Sequence, residues 1–109
     1  MILPALLALT AADPGLEQAR VCRVHMELFI EEVAAGGGHV AGPTWFIRDW
    51  WDRKAEEAGA PEDDESAHAA LKSNLAQMRS ETPDRFRAGR QHCVDIAIEA
   101  GAVPGMGPA

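Results

Sequence analysis

The segment Pro43–Ala58 reads PTWFIRDWWDRKAEEA and holds all three tryptophans of the chain within seven positions. Gly42-Pro43-Thr44 reads as a helix start, with the Thr44 hydroxyl as cap and Pro43 unable to extend a helix backwards. Phe46 and Trp50 are four apart, as are Ile47 and Trp51, so a helix gathers them on one broad apolar face. Arg48, Asp49, Asp52 and Arg53 fill the rest of the surface, and Trp45 sits in the first turn. Each large aromatic buries ~150–250 Å², and a small domain is short of apolar area. The expectation is therefore a core helix whose face is wide enough to leave Trp45 or Trp51 partly exposed. An exposed part would line a groove for a partner, with Trp45, Phe46, Trp50 and Trp51 as the candidate partner-binding residues.

On either side of this segment the pattern stays helical. Asp13-Pro14 is a helix entry, followed by Ala19, Cys22, Met26, Phe29 or Ile30, and Val33 at three- and four-residue spacing. Three consecutive glycines, Gly36-Gly37-Gly38, end that first helix near Ala35. The glycine-rich stretch to Pro43 lacks the lysine and hydroxyl residue of a phosphate-binding loop, and reads as a flexible connector. Glu62-Asp63-Asp64-Glu65 has neither the alternation nor the glycine of a calcium loop, and reads as an acidic linker facing the next helix dipole. A third helix over Ser66–Ser80 carries a thin stripe of Ala67, Leu71, Leu75 and Met78. Thr82-Pro83-Asp84 opens a fourth, with Phe86, Gly89 or Arg90, Cys93, Ala97 and Ala100 along one side and Gly101 as its stop. Gly89, Ala97 and Ala100 leave room for another helix to approach closely. No stretch alternates with period two, so the expected class is all-α, a small four-helix domain.

The N-terminal run Met1–Ala12, MILPALLALTAA, is uncharged and apolar and precedes the polar Asp13-Pro14-Gly15. It matches the apolar region of a secretory signal peptide, with small residues before a cut after Ala12, although no Lys or Arg precedes it. About a dozen residues are too few to span a bilayer, so no stable membrane insertion is expected. The expected organisation is a cleavable leader over 1–12, one helical domain over 13–102 and a disordered tail over 103–109, placing the protein in the periplasm or outside the cell. Export in turn makes Cys22 and Cys93, the two cysteines of the chain, a candidate disulfide between the first and fourth helices.

Composition narrows the function classes. Apolar residues make up 47% and charged residues 25%, an ordinary globular balance, and the formal net charge is −7. That charge disfavours nucleic acid and anionic lipid as partners. Arg79, Arg85, Arg87 and Arg90 form a local basic patch, free for an acidic partner or paired with Glu31, Glu32 or Asp64. Cys22, His25, His92 and Cys93 are a low-ranking zinc or thiol-enzyme alternative, since adjacent His92 and Cys93 diverge by about 100° on a helix. No nucleophile elbow, dinucleotide fingerprint or His-Glu-x-x-His is present, and no cofactor is implied.

In layout, as an acidic helical chain of this size with one candidate disulfide, the protein resembles the small periplasmic acid-stress chaperones. The resemblance covers architecture and cysteine count, without a shared motif, and it implies binding of unfolded clients at low pH. The leading expectation is a non-enzymatic, exported module that binds a protein or peptide through the tryptophan-rich surface.

Overall fold

The computed structural model describes residues 15–61 and 64–107. It contains four helices, α1 (Leu16–Ala35), α2 (Gly42–Glu57), α3 (Glu65–Glu81) and α4 (Pro83–Glu99), with no strand among the described residues. The all-α, four-helix expectation is met. The leader Met1–Ala12 and the expected helix entry at Asp13-Pro14 lie outside the described residues.

The helix ends follow local chemistry with two exceptions. α1 stops at the glycines as expected: Gly37 adopts φ 78°, and the Gly36 and Gly38 amides return to the Glu32 and Val33 carbonyls. Gly101, at φ 82°, ends α4 in the same way. Thr44, however, does not cap α2. Gly42 already lies inside the helix, Pro43 occupies its first turn, and Thr44 is buried with its amide bonded to Ala41. Thr82 precedes Pro83 as expected, yet its hydroxyl donates to the Met78 carbonyl at 3.2 Å and so finishes α3 rather than starting α4.

α1 is the hub: it packs against α2, α3 and α4, while α2 and α3 do not meet. It therefore carries two apolar faces. Ala19, Cys22 and Met26 join Ile47, Trp50, Trp51 and Ala55 of α2, Cys93 and Ala97 of α4, and Val103. Val24 and Leu28 join Leu75 of α3 and Phe86 of α4, flanked by Val21, Leu71 and Met78. Val103, the first residue of the expected tail, is only 4% exposed and packs with this cluster. Ala67, expected on the buried stripe of α3, is exposed; the packed part of that helix is Leu71–Met78.

Cys22 and Cys93 form the disulfide between α1 and α4, with a Cα–Cα distance of 5.4 Å. Beside it the Trp51 indole N–H donates to the Cys93 carbonyl at 3.0 Å in the buried interior. Three helices are thus fixed at a single residue, Cys93. Gly89 supplies the close approach one turn earlier on the same face of α4, where a Cβ would stand 3.2 Å from His25 Nε2.

Candidate functional site

The four aromatic candidates of α2 divide in two. Trp51 is fully buried and Trp50 nearly so, with their rings edge-to-face at 4.8 Å, and both are core. Trp45 and Phe46 are 39% and 48% exposed, which takes Phe46 off the buried face that its four-residue spacing to Trp50 suggested. The buried arc instead runs through Thr44, Ile47, Trp51 and Ala55, because that side of α2 meets α1 and α4. The outer arc displays Trp45, Phe46, Asp49 and Arg53.

Next to Trp45 the surface falls into an open cleft of about 580 Å³. It exists because α2 and α3 both lean on α1 without touching each other. α1 supplies its floor from Arg23, Glu27, Ile30 and Glu31, residues four, three and one apart that make one helical stripe. α2 contributes Arg48 and Asp52 as one wall; Pro61, Asp64, Glu65 and His68 make the other. The Arg48 guanidinium lies 5.1 Å over the Trp45 ring, bonds Asp49 at 2.8 Å and stands 3.5 Å from Asp52. Sequence reasoning passed over this cleft, since its charged residues come from three helices and looked like ordinary solvated faces.

Its electrostatics are uneven. Glu27 is held below the usual carboxylate range: burial pushes it up, but hydrogen bonds from Lys72 and His68 more than offset that. Lys72 also pairs with Glu31. Asp64 meets Arg20 at 2.7 Å and Arg23 at 4.0 Å, ion-pair contacts that leave both arginine Nε atoms without a hydrogen-bond partner. The Asp52 carboxyl is pushed up from its ordinary value by desolvation, with Arg48 pulling against it.

The basic patch is mostly consumed inside the fold. Arg79 and Arg90 converge on Glu32, each at 2.7 Å, and Arg90 also stacks 4.8 Å from Phe86 and 5.1 Å from Phe29. Glu32 is correspondingly lowered, first by the hydrogen bond from Arg90. Arg87 pairs with Asp84 on its own helix, and Arg85 is exposed. Of the three acids expected to receive these arginines, Glu32 does, while Glu31 and Asp64 pair elsewhere.

The zinc or thiol set does not come together as a site. Both sulfurs are bonded to each other, and among the described residues no three histidine, cysteine or acidic side chains are placed to hold a metal. His92 is exposed, whereas His25 is 2% exposed and packed 4.9 Å from the Phe86 ring. Its burial was missed in the sequence; the glycine at position 89, opposite it on α4, was the available signal.

No protein-family model, no curated protein and no solved structure matches this chain.

Proposed function

We propose that this is a protein- or peptide-binding module that uses the exposed aromatic end of α2. The observation that carries the reading is the pair Trp45 and Phe46, two large apolar rings left in solvent by a domain that buries Trp51 fully and Trp50 nearly so. Aromatic side chains offer much contact area at little conformational cost, and they recur as anchors of protein interfaces. Trp50 and Trp51, placed with them from the sequence, support this surface from within rather than touching a partner.

The test is selection of peptides from a displayed library on the immobilised protein, repeated on the Trp45→Ala/Phe46→Ala variant. Binders selected on the parent are expected to lose at least about tenfold in affinity, since a single anchor is worth on the order of 1–2 kcal/mol. Undiminished binding by a variant with parental helicity would remove the reading.

The protein is further proposed to be exported. The Cys22–Cys93 disulfide favours an oxidising compartment, and Met1–Ala12 has the composition of a leader. Intact mass of the cellular product is expected to show a chain cut after Ala12, of 109 − 12 = 97 residues, that gains about 2 Da on reduction. A full-length chain with free thiols would contradict export.

A further inference from the structure

α2 turns more than rings toward solvent. Trp45, Arg48 and Asp52 are spaced three and four apart, so they form one stripe that leads from the exposed indole down into the cleft. Within that stripe the chain's own Arg48 lies over an aromatic face with a carboxylate at its edge. A cation held in this way is attracted both by the ring and by the acid.

The charges around the stripe leave room for more positive charge. Arg20 serves Asp64, Lys72 and His68 serve Glu27, and Lys72 also serves Glu31. Asp52 has one ion pair among the described residues, with Arg48 at 3.5 Å and already hydrogen-bonded to Asp49, and Glu65 has none. Asp49 and Glu56, both exposed, lie on the same side of α2. The nearby arginines do not reverse this balance: Arg23 faces Asp64 and lies near Asp52, the exposed Arg53 is one cation against Asp49 and Glu56 on α2, and the whole chain carries −7.

We infer that this face docks a basic, apolar peptide segment of a partner protein, with apolar side chains on Trp45 and Phe46 and a lysine or arginine side chain in the cleft against Asp52. The inference rests on the peptide-binding reading and adds to it the charge of the partner and the place that charge takes. Ile30 on the cleft floor receives the aliphatic stem of such a side chain, while the head group meets Asp52. A free polyamine would share the cation chemistry. The peptide is favoured because the aromatic pair extends the surface beyond the cleft and a bare amine leaves both rings in water.

The test uses the disulfide-bonded protein and two fluorescein-labelled amphipathic peptides, one of leucine and lysine and a matched one of leucine and glutamate. Binding is read by anisotropy at low salt. The lysine peptide is expected to bind and the glutamate peptide to bind at least about tenfold more weakly, the gap narrowing as salt screens the exposed charges. Asp52→Asn is expected to weaken the lysine peptide about threefold to fivefold, the range of a partly exposed ion pair. Arg48→Ala, which removes the resident cation, is expected to tighten it by a similar factor. Opposite signs from neighbouring substitutions cannot come from a damaged fold.

Equal binding of the two peptides, or no response to either Asp52→Asn or Arg48→Ala, would overturn the inference. If Trp45→Ala abolished binding in that case, the aromatic reading would survive without it. If Trp45→Ala also changed nothing, both would fall. Displacement of the lysine peptide by spermidine at matched affinity would assign the cleft to a free amine and overturn the peptide assignment.

Discussion

His25 is a polar ring held where water does not reach it. It lies between α1 and α4 against Phe86 and Gly89, and its Nδ1 atom has no hydrogen-bond partner. Burial lowers its pKa from 6.5 to about 4; Arg90 adds to the shift and Glu32 opposes it. The native ring is thus neutral where the unfolded ring takes up a proton. The unfolded state binds more protons between those two values, so stability falls as pH drops from about 6.5 towards 4. The loss is on the order of 3 kcal/mol across the window, from 1.36 kcal/mol per pKa unit. Glu27 and Glu32, whose pKa values are lowered in the fold, lose their contributions only below the ordinary carboxylate value of 4.5. The two effects therefore separate on the pH axis. Urea unfolding at pH 7, 6 and 5 is expected to show a declining free energy in the parent and a nearly flat one in His25→Leu. A parental profile that is already flat would mean that His25 finds a proton acceptor in the fold.

At the scale of the elements, the seam that matters most joins α1, α2 and α4 at Cys93. The disulfide closes a separation of 71 residues, worth ~4 kcal/mol in the chain-entropy model. Trp51 adds a fully buried ring and a hydrogen bond to the same residue. Replacing both cysteines by alanine is expected to lower unfolding free energy by about 3–4 kcal/mol, and Trp51→Phe by about 1–3 kcal/mol through a lost bond and a small cavity. Denaturant titration of both variants and of their combination checks this. Because the two interactions share Cys93, the combined loss is expected to depart from the sum. The pairing of these elements was legible in the sequence, because cysteines on apolar stripes and glycine stops at Gly36 and Gly101 act through short-range chemistry. Which α2 rings would be buried was not. Periodicity fixes only which residues share a face; whether Phe46 or Ile47 lies at the buried edge depends on where α1 and α4 dock. The Thr44 and Thr82 caps failed for a related reason: Gly42 could enter the helix, and a one-residue connection left the Thr82 hydroxyl nearer the end of α3.

Across the whole molecule the four helices are held unequally. α1, α2 and α4 share a tryptophan-filled cluster, a disulfide and a buried indole bond. α3 has one buried residue, Leu75, and is otherwise joined by half-buried Leu71 and Met78, by a hydrogen bond between His68 and Glu27, and by ion pairs from Lys72 and Arg79 to Glu27, Glu31 and Glu32 of α1. Such partly exposed pairs contribute little each, ~0–1 kcal/mol, and are weakened by salt. α3 is therefore the element expected to detach first, by a sub-global opening that leaves the disulfide-linked helices in place. Since α3 also forms a wall of the cleft, that opening widens the surface beside Asp52 while leaving Trp45 where it is. Hydrogen exchange read by mass spectrometry is expected to show residues 65–81 exchanging ahead of the central turns of α1, α2 and α4. Added salt is expected to speed α3 by several-fold while α1 and α4 near Cys93 stay slow. Reduction of the disulfide should have the reverse pattern, accelerating the α1 and α4 seam more than α3. Uniform exchange along all four helices would show instead that the domain opens only as one cooperative unit.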